Sequence, residues 1–200
     1  MKVLGILGSP RRGGNTEILL KAFLEGAAGG GAEVEEISLR EMKISPCMEI
    51  YHCFKDGTCP IKDDMPGLYD KLLAADVVVL ASPIFFYNVS AQAKAMIDRT
   101  QALWARRYVL KKDFPGGSRQ GVLLAVGATK GRLLFVGTRL TAKYFFDAVN
   151  VSYAAEILVR GADDKGAISD QPEVLEQARN LGRRLAQGEK FGPIKMDPLF

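Results

Sequence analysis

Residues 77–81 read Val-Val-Val-Leu-Ala, an apolar block with no polar position in it, closed by Ser82 and Pro83. A strand with one wet face alternates apolar and polar residues. An unbroken run of this kind belongs in the middle of a parallel sheet, covered on both faces. Parallel strands need crossover connections, usually helical, and the rest of the chain supplies them in alternation. Lys2–Leu7 is a second short apolar run, closed by Gly8. From Asn15 to Ala28, Ile18, Leu19, Ala22 and Phe23 recur at helical spacing, and Gly29-Gly30-Gly31 ends the pattern. Glu33–Leu39 alternates charged and apolar residues, as a strand near a sheet edge does. Further strands are expected over Gly121–Val126 and Val151–Val159. Further helices are expected over Gly67–Ala75, Ser90–Tyr108, Thr138–Val149 and Pro172–Gln187, the last with its proline in the first turn. Five strands and five helices in alternation imply an open, doubly wound α/β sheet with helices on both faces. At 200 residues the chain suits one domain, 1–200. Its tail, 191–200, holds two prolines and two phenylalanines and is expected either to reach a neighbouring subunit or to be loose.

Composition narrows the function classes. Hydrophobic residues make up 48% and charged residues 25%, the balance of a chain with a real core. No stretch approaches the roughly 18 apolar residues of a membrane helix. The N-terminal apolar run is broken too early by Gly8, Pro10, Arg11 and Arg12 for a signal peptide. A cytoplasmic protein is expected, with no membrane partner. A net charge of +4 fits an anionic ligand and does not call for nucleic acid.

In a doubly wound sheet, ligands sit beyond the carboxyl ends of the strands at the topological switch point. The loops of interest therefore follow Leu7, Ala81 and Val126. The first reads Gly8-Ser9-Pro10-Arg11-Arg12-Gly13-Gly14-Asn15-Thr16 and joins a strand to a helix. Such a loop presents unpaired N–H groups at the positive end of the helix dipole. Glycines allow close approach, Ser9, Asn15 and Thr16 add donors, and Arg11 and Arg12 add charge shaped for phosphate oxygens. There is no Gly-Lys-Ser/Thr and no Gly-x-Gly-x-x-Gly in this turn, so triphosphate and dinucleotide signatures are both absent. A plain helix cap by Asn15 or Thr16 would not need two arginines beside it. The second loop, Ser82-Pro83-Ile84-Phe85-Phe86-Tyr87-Asn88-Val89-Ser90, offers an apolar wall for a flat ring, with N–H groups near Asn88 and Val89 for the ring's polar edge. The bland alternative is packing between helix and sheet.

Together, Gly8-Ser9-Pro10-Arg11-x-x-Gly14-Asn15-Thr16 and Ser82-Pro83-Ile84-Phe85-Phe86-Tyr87-Asn88-Val89-Ser90-Ala91-Gln92-x-Lys94-x-x-Ile97-Asp98-Arg99 closely resemble the NADPH-dependent FMN reductase family. The likeness is greatest to the branch containing the iron–sulfur flavoproteins. It implies a flavodoxin-like five-stranded parallel sheet, order 2-1-3-4-5, with FMN at its carboxyl edge. By matching position, Ser9, Arg11, Asn15 and Thr16 would hold the phosphate; Arg12 joins them on physical grounds alone. Pro83, Ile84, Phe85, Asn88 and Val89 would line the isoalloxazine. Gly127, Ala128 and Thr129, with Lys130 and Gly131, would close over its other side. The resemblance further implies NADPH or NADH as co-substrate and a small acceptor such as a quinone or flavin. It also implies a homodimer or homotetramer that shares the 85–87 segment and the 90–108 helix with Trp104. A flavodoxin-like or iron–sulfur flavoprotein-like carrier serving a redox protein is the alternative, disfavoured by the slightly basic charge.

In the iron–sulfur branch a compact four-cysteine motif follows the second strand. This chain has Cys47, Cys53 and Cys59, with Ile50 where the second cysteine would fall. A four-iron cluster takes four thiolates, so no cluster and no metal are expected, and the cysteines are read as reduced and structural. His52 as a substitute ligand, a three-cysteine zinc site and a redox pair from Cys47 and Cys53 stay open as lesser readings. His52 is the only histidine, so no Ser-His-Asp set can be assembled. That suits a flavoenzyme, whose cofactor carries the electron chemistry, and no catalytic side chain is assigned.

Overall fold

The computed structural model describes residues 1–112 and 114–196. Five strands form one parallel sheet in the order β2-β1-β3-β4-β5. They are β1 (Lys2–Leu7), β2 (Glu33–Ser38), β3 (Val77–Pro83), β4 (Gln120–Gly127) and β5 (Ser152–Arg160). The apolar block Val77–Ala81 lies in the central strand, β3, and its side chains alternate between two cores. Val78 and Leu80 face one cluster; Val77, Val79 and Ala81 face the other. The charged, alternating β2 lies at one edge and β5 at the other.

Helices α1 (Asn15–Gly29) and α7 (Pro172–Ala186) cover one face. They cross closely because Gly26 and Gly182 carry no side chain: a Cβ on either would sit about 2 Å from a carbonyl oxygen of the other helix, Arg179 and Phe23 respectively. The opposite face is covered by α3 (Met65–Ala74), α4 (Ala91–Arg99), α5 (Gln101–Trp104) and α6 (Val136–Ala148). A short helix, α2 (Cys53–Asp56), stands in the cysteine loop, where no periodicity announced it.

Three boundaries differ from expectation for physical reasons. Helix α3 begins at Met65 because Pro66 is tolerated in a first turn, and the Asp63 carboxylate accepts the Met65 N–H at 3.1 Å. The expected 90–108 helix is three segments. The Thr100 hydroxyl bonds back to Ile97 O at 2.6 Å, and the chain then widens into a π turn over Ala105–Val109, with Leu110 N donating to Ala105 O. Residues 191–196 of the tail are tied to the chain's own sheet. Phe191 N donates to Gln120 Oε1 and Ile194 N to Tyr153 O, each at 2.8 Å. Residues 197–200 lie outside the described residues.

At the amino edge, the buried Arg119 joins three carbonyls, Ala75 O, Val149 O and Leu72 O. It ties the chain ends that follow α3 and α6. At the carboxyl edge, β1 and β3 are neighbours, but their following loops diverge, since β2 lies to one side of β1 and β3 to the other. That divergence opens the crevice in which the candidate site lies.

Candidate functional site

The crevice is fixed by a serine network. Ser90, fully buried, caps α4 by accepting the Ala93 N–H at 3.2 Å, and its hydroxyl donates to Gly8 O at 2.5 Å. Ser82 Oγ accepts the Ser90 N–H at 3.0 Å. Gly8 N donates to Ala81 O at 2.7 Å. The contact is too close for a side chain, because a Cβ at Gly8 would stand 2.9 Å from that of Ala93. Thus the loops after β1 and β3, far apart in sequence, are locked together.

Between them lies a cavity of about 360 Å³. One end is lined by Ser9, Pro10, Arg11, Gly14, Asn15 and Thr16, the other by Pro83, Ile84, Phe85, Val126 and Ala128. Ala162 and Asp163, beyond β5, complete the rim. Helix α1 has no side-chain cap at Gly14. In its first four residues only Ile18 N finds a main-chain acceptor, Gly14 O at 3.1 Å. The N–H groups of Asn15, Thr16 and Glu17 therefore remain available, as does the Thr16 hydroxyl, among the described residues. A donor set of this kind, mainly backbone at a helix start, is what an anion site requires.

The arginines separate. Arg11 stays on the cavity, its guanidinium donating to Asp163 O at 3.2 Å. Arg12 turns away to Glu41 at 2.7 Å, both side chains exposed, and does not line the cavity. Asn15 lines the wall, but its amide is committed. Nδ2 donates to Ala162 O at 3.1 Å and to Asp164 O at 2.9 Å, and Oδ1 accepts the Ile168 N–H at 3.2 Å. Its side chain staples the loop after β5 to the start of α1, which leaves only its N–H for a phosphate.

The aromatic loop departs further from its sequence reading. Phe85 and Asn88 exchange two hydrogen bonds around a tight turn, and Phe86 and Tyr87 both have positive φ, 48° and 63°. That two-residue turn normally takes Asn-Gly, and bulky residues there are strained. The Asn88 N–H is used by Phe85 O, and the Val89 N–H by Asn88 Oδ1 at 2.8 Å. Neither is available to a ring edge. Asn88 Oδ1 also accepts the Thr141 hydroxyl at 3.0 Å, and Val89 is buried in the core. Both residues hold the turn and do not line the cavity. Gly127 ends β4 beneath Leu134, whose Cδ2 would lie 2.6 Å from a Cβ there, and Thr129 is exposed outside the lining. Tyr87 reaches the same loop from the opposite wall, its hydroxyl lying against Gly131.

Sequence reasoning missed Ala162, Asp163 and Glu17. The cluster Gly161-Ala162-Asp163-Asp164-Lys165-Gly166 after the last strand was the available signal for the first two. Glu17 is buried in the first turn of α1. Burial pushes its carboxyl up, but hydrogen bonds from Lys21, the Gly13 N–H and Arg40 outweigh that and hold it down to about 2. An ionised carboxylate thus fixes the glycine turn from outside the cavity.

A doubly wound parallel sheet with a backbone anion site and an apolar slot at its switch point defines a flavodoxin-like nucleotide-binding protein. The chain belongs to the NADPH-dependent FMN reductase family, whose model matches residues 1–149. It is accordingly an oxidoreductase with FMN and NAD(P)H as its cofactors. Similar relatives include an iron-sulfur flavoprotein of Methanocaldococcus jannaschii, 33% identical over 96% of this chain and 98% of the relative. Another, from Archaeoglobus fulgidus, is 35% identical over 99% of this chain and 84% of the relative. Among solved structures, an NAD(P)H:quinone oxidoreductase from Methanothermobacter marburgensis shares the fold with a TM-score of 0.74 at 21% identity, covering 92% of this chain and 96% of that one. No helix among the described residues is long and apolar enough to cross a membrane.

Proposed function

We propose that the 360 Å³ cavity is the FMN site and that the chain passes electrons from NAD(P)H through FMN to a small, flat acceptor such as a quinone. One observation carries the reading: a single cavity joins the free N–H groups of α1 to an apolar slot. The donor set fits a phosphate at one end, with Ser9, Arg11, Thr16 and the first-turn N–H groups around it. The slot of Pro83, Ile84, Phe85, Val126 and Ala128 fits a flat ring at the other end. When bound, FMN supplies a two-electron exchange in which NAD(P)H, a proton and a quinone become NAD(P)+ and a hydroquinone.

The chain's own residues bind and orient. The α1 dipole and Arg11 favour the dianionic phosphate. The Ser90–Gly8 bond sets the distance between phosphate loop and slot. Lys130, packed against Gly161, and Lys165, against Gly13, bring positive charge to the rim, suited to an anionic nicotinamide nucleotide. The working unit is a cytoplasmic single-domain protein that self-associates through the exposed Phe85–Tyr87 turn and the adjoining groove beside Trp104, Leu140 and Tyr144.

The test is to load the purified protein with FMN, mix it anaerobically with NADPH or NADH, and then add a small quinone. Flavin absorbance is expected to bleach on mixing and to recover as the quinone is consumed over many turnovers. Protein that retains no FMN overturns the assignment of the cavity. Flavin reduced only by a protein donor overturns the enzymatic reading.

A further inference from the structure

Three cysteines stand at even spacing between β2 and α3, as Cys47-x5-Cys53-x5-Cys59. Relatives of the chain are named iron-sulfur flavoproteins, and a four-iron cluster takes four cysteine thiolates. The residues present do not fit that group. Only three thiols exist: Cys47 and Cys53 line one cavity and Cys59 lies near Cys53, but no fourth thiolate joins them. Cys47 is exposed, whereas Cys53 and Cys59 are half-buried and pack against the hydrophobic cluster under the sheet. His52, the remaining soft donor of the loop, is paired with Asp56 at 3.0 Å, and Asp56 is itself held by the N–H and hydroxyl of Thr58. Among the described residues no three of His, Cys, Asp and Glu are grouped to hold a metal ion.

The loop is cross-linked by protein instead. Asp63 accepts the Ser45 N–H at 2.9 Å, and the fully buried guanidinium of Arg99, on α4, reaches the same carboxylate at 2.6 Å. Lys43 and Asp64 exchange two bonds, Lys43 N to Asp64 Oδ2 at 2.7 Å and Asp64 N to Lys43 O at 3.1 Å. Farther along, Lys112 donates to Asp56 O at 2.7 Å, and Phe54 sits edge-on to Trp104. These contacts anchor both ends and the middle of the segment. The residue midway between Cys47 and Cys53 is Ile50, 52% exposed at the surface of the loop. A cysteine there would write Cys-x2-Cys-x2-Cys, the spacing of iron–sulfur runs, followed by Cys59 as a fourth thiolate.

We infer that this chain takes no iron–sulfur cluster, that its three thiols stay free, and that Ile50 is the position separating it from a cluster-binding loop. This goes beyond the FMN assignment and does not depend on it. The experiment is anaerobic incubation of the wild-type chain and of Ile50→Cys with ferrous iron and sulfide, then gel filtration, iron and sulfide analysis, and alkylation of the thiols with iodoacetamide. Circular dichroism melting checks that the variant is folded. The wild-type chain is expected to carry far less than one iron, with Cys47 alkylated at the same rate before and after incubation. Ile50→Cys is expected to gain about four irons per chain, the content of one cubane, with all four thiols protected. Wild-type protein that gains about four irons and protects its cysteines overturns the inference. A folded Ile50→Cys protein that stays iron-free overturns the role given to position 50. A failure of the FMN reading would appear separately, as protein without flavin whatever its iron content.

Discussion

Replacing Asn15 with alanine removes three hydrogen bonds at once and distinguishes two roles for the side chain. The amide serves Ala162 O, Asp164 O and the Ile168 N–H, and two of these contacts are buried. A hydrogen bond contributes about 1 kcal/mol net, and a buried N–H left without a partner costs about 1–3 kcal/mol. The expected loss is therefore about 2–4 kcal/mol. Urea unfolding followed by circular dichroism would read it as a midpoint lowered by about 1–2 M with an unchanged slope. Because the 162–168 loop forms the rim of the cavity, FMN and riboflavin are expected to weaken together, by a similar factor. A phosphate-ligand role makes the opposite forecast. Stability would hold, FMN affinity would fall about tenfold or more, and riboflavin, which has no phosphate, would bind as before. That second pattern, in fluorescence titrations of both flavins, would refute the staple argument.

Arg11→Ala is expected to weaken FMN by about tenfold while sparing riboflavin, because a charge-assisted bond to phosphate is lost. Arg12→Ala, losing only an exposed pair with Glu41, should change either affinity by no more than about twofold, again by flavin fluorescence. Glu17→Gln tests the depressed carboxyl. Its folded value of about 2 lies below the ordinary 4.5, so its stabilisation is complete above pH 4.5 and is lost as pH falls towards 2. The wild-type advantage over the variant should shrink by about 3 kcal/mol across that window, measured by urea unfolding at stepped pH; an advantage that does not change with pH would refute it. Phe86→Asn relieves a positive φ at a residue wholly exposed on the single chain, so thermal unfolding at a concentration low enough to keep the protein dissociated should show a gain of about 0.5–1 kcal/mol. The same variant should shift sedimentation towards smaller species if the turn is a subunit contact.

The sheet was legible because local sequence determines it. A block such as Val77–Ala81 is compatible with few environments, and the glycine-rich turn after Leu7 marks a strand-to-helix junction without reference to anything distant. The anion site and the apolar slot follow from the same logic, since strand order and chain direction bring their loops to one edge. Side-chain direction within those loops does not follow. Arg11 and Arg12 are neighbours of identical chemistry, and what divides them is Glu41 on one side and the Asp163 carbonyl on the other. Asn15 is committed by a loop about 150 residues away, and Asn88 by Thr141. Spacing within a motif cannot report a partner that the tertiary fold supplies.

That limit also explains how the strained turn persists. Two adjacent aromatic residues at positive φ are disfavoured locally, and such strain survives only where its surroundings over-determine it. Here the Phe85–Asn88 bridge closes the turn, and Asn88 is pinned to α6 through Thr141. Gly137 lets the helix approach so closely that a Cβ there would lie 2.6 Å from Tyr87 O. The clamp sets the Tyr87 hydroxyl against Gly131 and leaves Phe86 fully exposed on the single chain. The proposed phosphate end is held for a comparable reason: its donors are the backbone of a helix start, fixed by Glu17 and Asn15 from behind. A site supported from outside in this way retains its shape when a lining side chain is changed. For that reason the supporting residues, and not only the arginine nearest the phosphate, should govern how tightly the chain holds its flavin.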